Sequence, residues 1–447
     1  MAVERRNVPI KEARSDAMER SAMNEPLALG IDIGTSGVRA VATDAAHMTT
    51  AAASTAMAAP ERDGDRAIQD PAVWWNAVCT VLDALRAKVD FSRIGALSVD
   101  GTSGTILAVD AAGRALAPAS LYNDSSAKAA AEMIAKVAPP ETAAHGATSP
   151  LGRALAFTNL AGVAHVLHQA DWILAQFSGR FGVSDENNAL KTGYDPVRRK
   201  WPDWLEALAI PRNWLPEVVA AGTAVATVSA SMQERFGFNT SVKAVAGTTD
   251  GCAAFLATGA HEIGDGVTSL GTTLVVKLLS DKPIFAPQYG LYSHRIGDLW
   301  LAGGASNSGG AALLKFFTTA QMVAPEPQMA VDKPTGLDYY PLSGVGERFP
   351  IYDPKMQSRV SPRPSDDARF LQALLEGISN VEALAYQRMT ELGGPTLANV
   401  FTVGGGARNR SWANLRARVL GVPLREPASE EAAVGAALLA WRGLRER

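Results

Sequence analysis

The feature that most constrains this chain is an aspartate that interrupts an apolar strand just before a glycine-rich turn. Residues 27–33 read Leu-Ala-Leu-Gly-Ile-Asp-Ile and run through Gly34-Thr-Ser-Gly37 into a second apolar stretch over 38–43. Glycine at both ends of the turn permits a tight hairpin. A carboxylate inside such a strand is costly unless it meets a metal or a charged partner. The exposed N–H groups of a small-residue turn also converge on an anion, and glycine lets the backbone come close. Asp32 therefore either serves a phosphate-bound Mg²⁺, directly or through water, or braces the hairpin through the amides of Thr35 and Ser36.

The second half of the chain repeats this opening. Asp265-Gly-Val-Thr-Ser-Leu-Gly271-Thr-Thr-Leu-Val-Val-Lys277 is again strand, Gly-Thr turn and strand, about 240 residues further on. The repeat predicts two related α/β domains rather than one sheet, although one Gly-Thr hairpin resembles another. Between and after the hairpins, periodicity predicts helices over 71–89, 128–137, 154–177, 370–392 and 430–444. Asp70 is placed to cap the first of these, with Pro71 at its first position. Strands are predicted over 94–99, 106–109, 244–246 and 400–403. The strand at 244–246 leads into Gly247-Thr-Thr-Asp250-Gly251, a second acid at a glycine turn. A hydroxyl is a poor nucleophile, so a carboxylate placed like Asp250 could orient one and take its proton; the alternative is an Asx-turn. Gly404-Gly-Gly-Ala-Arg-Asn409 offers bare backbone on which a nucleoside could lie.

Composition removes other classes. Net charge is −3 among 447 residues, with 47% apolar, so nothing favours nucleic acid or an anionic membrane. Two distant cysteines, Cys79 and Cys252, exclude a disulfide framework and fit a reducing, cytoplasmic setting. The six histidines form no metal-binding pattern; His165 and His168 could share a helix face. No apolar run reaches the ~18 residues of a membrane span. Residues 1–24 carry mixed charge and read as a disordered extension, with Met23 as an alternative start. Neither GxxxxGK[ST] nor a strand–helix GxGxxG occurs.

Taken together, the order and content of these motifs resemble the FGGY family of carbohydrate kinases, in the superfamily of actin, hexokinase and the heat-shock chaperone ATPases. The resemblance runs from about Leu27 to Trp441, and Gly259-Ala-His-Glu-Ile-Gly264 leading to Ser269-Leu-Gly-Thr-Thr273 matches the family's second signature region. It implies an α/β fold of two actin-like (ribonuclease H-like) domains with a catalytic cleft between them. The sugar-binding domain would span 27–256, joined by a closing helix at 431–447, and the ATP-binding domain 257–430, with 1–26 a disordered extension. Carried over residue by residue, Asp250 would be the general base. Asp32 would belong to the Mg²⁺ and phosphate network, close to the sugar. Arg39 would sit near the active centre, and Gly34, Thr35 and Ser36 would line the first phosphate loop. Gly271, Thr272 and Thr273 would contact ATP phosphates. Gly405, Gly406 and Asn409 would hold the adenosine, with Gly309 and Gly310 on the nucleotide side. Ser103, Asn123 and Asp124 would join Asp32 and Asp250 at the sugar.

Two stretches depart from typical xylulokinases. Where those carry G-Q-M-H-G, this chain has Asp100-Gly-Thr-Ser-Gly-Thr, and where many members have W-x-D-x-R it has Leu121-Tyr-Asn-Asp-Ser-Ser-Ala. With Asn187-Asn-Ala-Leu-Lys-Thr-Gly-Tyr194, these look most like the plant and cyanobacterial xylulose-kinase-like branch, which implies D-ribulose as acceptor. D-xylulose or another ketose or polyol stays open. So does a sugar-binding regulator that lost transfer, or an actin-like filament or chaperone ATPase. The implied partners are ATP and a small sugar, and a homodimer is one assembly the reading admits.

Overall fold

The computed structural model describes residues 25–446. Its first large sheet is built from β1 (Leu27–Ile33), β2 (Gly37–Thr43), β3 (Thr49–Ala56), β4 (Ile94–Gly101), β5 (Ala224–Thr227) and β6 (Lys243–Thr249), in the spatial order β5-β6-β4-β1-β2-β3. β1, β2 and β3 form an antiparallel meander, while β1, β4 and β6 run parallel. Every residue of β1 is buried, the near-continuous apolar pattern of a strand covered on both faces.

The second large sheet repeats that arrangement. β7 (Asp265–Leu270) pairs antiparallel with β8 (Leu274–Ser280), and β8 pairs antiparallel with β10 (Leu299–Ser306). β7 also runs parallel to β11 (Asn399–Val403), which runs parallel to β12 (Leu424–Arg425). β9 (Tyr292–Ile296) adds an outer antiparallel edge. The predicted duplication is thus a shared topology: a hairpin, its third antiparallel strand, and parallel strands on the other side. The fold is the expected two-lobed α/β architecture.

Helices cover these sheets. α1 (Pro71–Arg86) starts where predicted, with Asp70 Oδ1 accepting the Ala72 N–H at 2.9 Å, and it turns Trp74, Val78, Val81 and Leu82 into the first core. α5 (Asp367–Glu391) fills the second lobe's core with Phe370, Leu374 and Ile378, and α6 (Arg410–Leu420) packs against it. The helix predicted over 154–177 is two pieces. Pro150–Ala156 is helical, His165–His168 is a strand, and α2 (Gln169–Ser178) follows. Gly162, at φ +80°, breaks the helical path, and the β-branched Val163 and Val166 suit the strand that follows. That strand belongs to a five-stranded sheet beside the first lobe, with Glu61–Asp63, Arg66–Gln69, Ile106–Val109 and Ala119–Ser120. At three residues' spacing in a strand, His165 and His168 face opposite sides, so the predicted shared face does not form.

α7 (Ala432–Arg445) lies on the first lobe, against β1, β4 and β6 and against α4 (Asp250–Ala257). Its buried side is made of small residues: Ala433, Gly435, Ala436, Ala437 and Ala440. Backbone meets backbone there. A Cβ on Gly30 would fall 1.8 Å from the Ala433 carbonyl oxygen, and one on Gly435 would fall 1.9 Å from that of Ala253. Trp441 closes the far end, its indole N–H donating to Thr43 Oγ1 at 3.0 Å.

Candidate active site

The site begins at the carboxyl ends of three adjacent parallel strands. Asp32 on β1 lies directly across from Asp100 on β4, and Asp100 lies across from Thr248 on β6, one residue before the Thr249 cap of α4. Asp250 is the first residue of that helix. In open α/β sheets the crevice outside these strand ends is where ligands bind. Asp32 and Asp250, far apart in sequence, thus converge, as the sequence reading required.

Their electrostatics are those of a buried acid cluster. Burial raises Asp32, opposed by the Asp100 carboxyl and by Arg39, whose Nη1 sits 3.3 Å from Asp32 Oδ2. No bond from the Thr35 or Ser36 amides to Asp32 accompanies it, so the hairpin-brace alternative is not the one adopted. Arg39 Nε also reaches Glu431 Oε2 at 3.4 Å, at the start of α7. Asp100 is fully buried, and neither of its carboxylate oxygens receives a hydrogen bond from a donor group. Burial, then the neighbouring Asp32 and Asp250, push its pKa well above the usual carboxylate range. Two adjacent carboxyls of this kind share a proton or a cation. Burial also raises Asp250, against the Gly251 amide and the Lys277 ammonium; Asp250 Oδ1 accepts the Gly251 N–H at 2.7 Å, while the Asx-turn alternative gives way to a helix N-terminus.

The loop after β4 is held by Gln169 at the head of α2. Gln169 Oε1 accepts the Thr102 amide at 2.9 Å and the Thr102 hydroxyl at 2.8 Å. Ser103 lines a cavity of about 380 Å³ together with Asp250, Lys277, Tyr292, His294 and Arg348. Its hydroxyl oxygen is buried with no partner. This cavity lies between the lobes: Lys277, on β8, donates to the Gly251 carbonyl oxygen in the first turn of α4. A second crossing is made by Asn187 in α3 (Glu186–Lys191). Its Oδ1 accepts the Arg295 amide of β9 at 2.8 Å, while Nδ2 donates to the Arg295 carbonyl and to Thr248 Oγ1, both at 2.9 Å. Lys191 completes the set, lying 4.1 Å from the Tyr292 ring centre.

The glycine-rich turns of the second lobe form one surface. The amides of Gly310 and Ala311 donate to the carbonyls of Gly271 and Thr272 at 2.9 and 3.0 Å, so the 309–310 turn seats on the 271–273 turn. Gly310 has to lack a side chain, since its Cβ would stand 2.8 Å from the Gly271 carbonyl oxygen. Gly404 and Gly406 abut Leu270 from the other side. Gly405 has open space about it, and Asn409 caps α6, its Oδ1 accepting the Trp412 amide at 2.7 Å. In the first lobe, Gly34 donates to Gly37 O at 3.0 Å, closing the turn that carries Thr35 and Ser36.

Asn123 and Asp124 are not brought to the cavity lining. Asp124 is occupied within its own loop, accepting from Ser120 Oγ at 2.8 Å and from the Ser126 amide and hydroxyl at 2.9 and 2.6 Å. Arg153 ties the same loop to Gly104 O at 2.5 Å. Residues that the sequence reading did not place in the site are there as well: Asp100 beside Asp32, and Lys277, Tyr292, His294 and Arg348 on the cavity wall. Only Asp100 carried a signal, because its Asp-Gly-Thr-Ser-Gly echoes the Gly-Thr-Ser-Gly after Asp32.

Among the described residues no three His, Cys, Asp or Glu side chains gather as a ready-made metal site, and no helix is long and apolar enough to cross a membrane. The Asp32–Asp100 pair is nevertheless a hard-oxygen donor set with unpaired lone pairs, the chemistry that suits a hydrated Mg²⁺ carried by phosphates.

Comparison with known proteins accords with this geometry. The chain is 25% identical over 441 residues to a xylulose kinase of Escherichia coli (strain K12), covering 92% of this chain and 89% of that protein. It is 24% identical over 405 residues to a xylulose kinase of Lactococcus lactis, covering 85% and 80%. A solved structure titled as a xyloylose kinase from Brucella ovis has the same fold, at a TM-score of 0.85 and 24% identity, covering 94% of this chain and 91% of that one. The N-terminal domain of the FGGY family of carbohydrate kinases matches residues 27–146 and 157–257, and its C-terminal domain matches residues 266–444. With three acids gathered at the strand ends of one lobe and both family domains matched along the chain, this chain belongs to the FGGY family and is an ATP-dependent sugar kinase.

Proposed function

We propose that the chain transfers the γ-phosphate of ATP to the terminal hydroxyl of a pentulose, with D-ribulose converted to D-ribulose 5-phosphate. The observation that carries this reading is the placement of Asp250: a half-buried carboxylate on the wall of an inter-lobe cavity of small-ligand size, about 380 Å³. Ser103 lines that cavity from the Asp100–Thr105 loop, and Asn187 holds β9 behind it. The Asp100–Thr105 loop is one of the two stretches in which the chain departs from typical xylulokinases, and together with the Asn187–Tyr194 stretch it supports a D-ribulose acceptor. The likeness to xylulose kinases favours D-xylulose as the second reading.

In this mechanism the sugar lies against the first lobe (27–256, completed by 431–447), and ATP lies against the turns of the second (257–430). Asp250 orients the acceptor hydroxyl and takes its proton as the oxygen attacks phosphorus. Thr35 and Ser36 in the 34–37 turn, and Gly271, Thr272 and Thr273 in the second, aim amides at the transferring group. Gly309, Gly310, Gly405, Gly406 and Asn409 shape the nucleotide side. Asp32, with Asp100, would hold Mg²⁺ through water; the ion would neutralise charge on the β- and γ-phosphates. Arg39 keeps the Asp32 carboxylate oriented.

The test is kcat/KM for D-ribulose, D-xylulose, L-ribulose, ribitol and glycerol, read by ADP release with and without Mg²⁺. D-Ribulose should rank first. A higher value for D-xylulose would replace the acceptor, and the absence of sugar-dependent ADP release would remove the transfer reading.

A further inference from the structure

The wall of the cavity facing Asp250 belongs to the second lobe, and two of its polar groups have no task in the transfer chemistry. Lys277 and Tyr292 both pair with Gly303 across the β8–β10–β9 ladder. Gly303 puts no side chain between them; a Cβ there would touch Lys277 Cγ at 3.6 Å. Lys277 spends one of its three donors on the Gly251 carbonyl oxygen. His294, on β9, stands edge-on to the Tyr292 ring at 5.2 Å. Its Nε2 is buried with no hydrogen-bond partner, although the residue lines the cavity. Burial and the nearby Lys191 and Lys277 ammoniums bring its pKa down to about 3, so the ring is neutral under ordinary conditions. A buried polar atom without a partner costs free energy in the folded protein, and a ligand is the natural source of the missing bond.

We propose that His294 and Lys277 form the recognition end of the acceptor pocket, holding the carbonyl oxygen of an open-chain ketose so that the site selects ketoses over the corresponding alditols. The inference rests on the sugar-kinase reading of the same cavity. With the N–H on Nε2, His294 supplies one donor and Lys277 supplies the others. A carbonyl oxygen offers two lone pairs and no hydrogen of its own, so it accepts from both. A hydroxyl in the same place brings a hydrogen that must find an acceptor on a wall offering donors. The carbonyl end thereby directs the opposite, hydroxymethyl end of the sugar toward Asp250.

The experiment compares the parent with His294→Phe, His294→Gln and Lys277→Met, using D-ribulose against ribitol and D-xylulose against xylitol. Steady-state kinetics is paired with calorimetric binding of each sugar in the absence of ATP. The parent should favour each ketose over its alditol by about tenfold or more, the worth of one to two hydrogen bonds to a charged or neutral donor. His294→Phe and Lys277→Met should raise KM for the ketose about tenfold more than for the alditol, and His294→Gln, which keeps a donor, should recover part of the preference. Equal losses for ketose and alditol in all three variants would mean a purely structural role and overturn the inference. So would an unaltered preference. If the parent binds ketoses selectively but transfers no phosphate, the kinase reading fails while the binding ratios of the variants still decide this one. A parent that binds neither class overturns both.

Discussion

Replacing Asp250 with asparagine separates the cost of the half-buried carboxylate from its use. The change is nearly isosteric, and an asparagine oxygen can still accept the Gly251 amide that Asp250 holds at 2.7 Å. What disappears is the ability to take a proton. General-base assistance contributes roughly 10²–10⁴ in rate, or about 2.7–5.5 kcal/mol at ~1.36 kcal/mol per factor of ten. Asp250→Asn should therefore lower kcat by that factor in a coupled ADP-release assay, while ATP affinity stays near the parent value. The stability effect has the opposite sign. Burial raises the Asp250 pKa in the folded protein, so folding favours the protonated form. Its contribution is fully present below the unfolded carboxylate value of about 3.9 and is lost as pH rises through the folded value. Asparagine removes that loss. The variant should melt at or above the parent temperature near neutral pH, and the advantage should shrink as pH falls toward about 4. A kcat within about tenfold of the parent would refute the base assignment. A melting temperature that drops at neutral pH would refute the electrostatic reasoning and show that the Lys277 partnership outweighs burial.

Other perturbations probe different parts of the site. Asp32→Ala strips the hard-oxygen pair of one member and leaves Arg39 with only Glu431; turnover should fall and its dependence on Mg²⁺ concentration should flatten, and an unchanged Mg²⁺ titration would count against the assignment. Asn187→Ala leaves the Arg295 amide and carbonyl without their cross-lobe partner and Thr248 Oγ1 without its partner in the same lobe; with ~1–3 kcal/mol per stranded buried group, the urea midpoint should fall and the KM for sugar should rise. A KM that stays put would make Asn187 a brace within one lobe only. Gly435→Ala sets a methyl 1.9 Å from the Ala253 carbonyl oxygen, where only backbone can yield. The expected loss is ~1–3 kcal/mol or more, with weaker activity because α4, which carries Asp250, is displaced; a melting curve that superimposes on the parent's would show that the helices part freely.

Much of this site could be read from residue order alone, and the remainder could not for identifiable reasons. Asp32 stood out because it breaks an apolar strand beside a glycine turn, and Asp250 because it follows an apolar strand at another, local signals with a long-range resolution. The two Gly-Thr hairpins foretold the duplicated topology because a turn leaves a chemical mark in a handful of neighbouring residues. Lys277 left no such mark. A single lysine in Leu-Val-Val-Lys-Leu-Leu reads as one solvent-facing position of a strand, and its partner, the Gly251 carbonyl, is supplied by the other lobe. His294 is similar, since its unpaired nitrogen is a property of the cavity and not of its neighbours in sequence. Asp124 was placed at the sugar by resemblance alone; in the structure its oxygens accept from Ser120 and Ser126, and it does not line the cavity. The helix over 154–177 failed because apolar periodicity was followed through Gly162, and a turn residue there outranks the pattern on either side.

The placement of α7 has a consequence for how the protein comes off the ribosome. Domains emerging from translation ordinarily fold in the order in which they are made. Here β1 is made before the second lobe and is covered by a helix encoded after that entire lobe. Until residues 432–445 arrive, the face of the sheet around Gly30 is bare, and α4 lacks one of its supports. The nascent first lobe must wait, unfinished, while its neighbour is built, so the two halves of the catalytic cleft reach maturity together. Arrest at a stalling sequence placed just before residue 432 should leave a first lobe that proteases cut readily, and arrest behind a linker long enough to carry residue 446 clear of the ribosome should not.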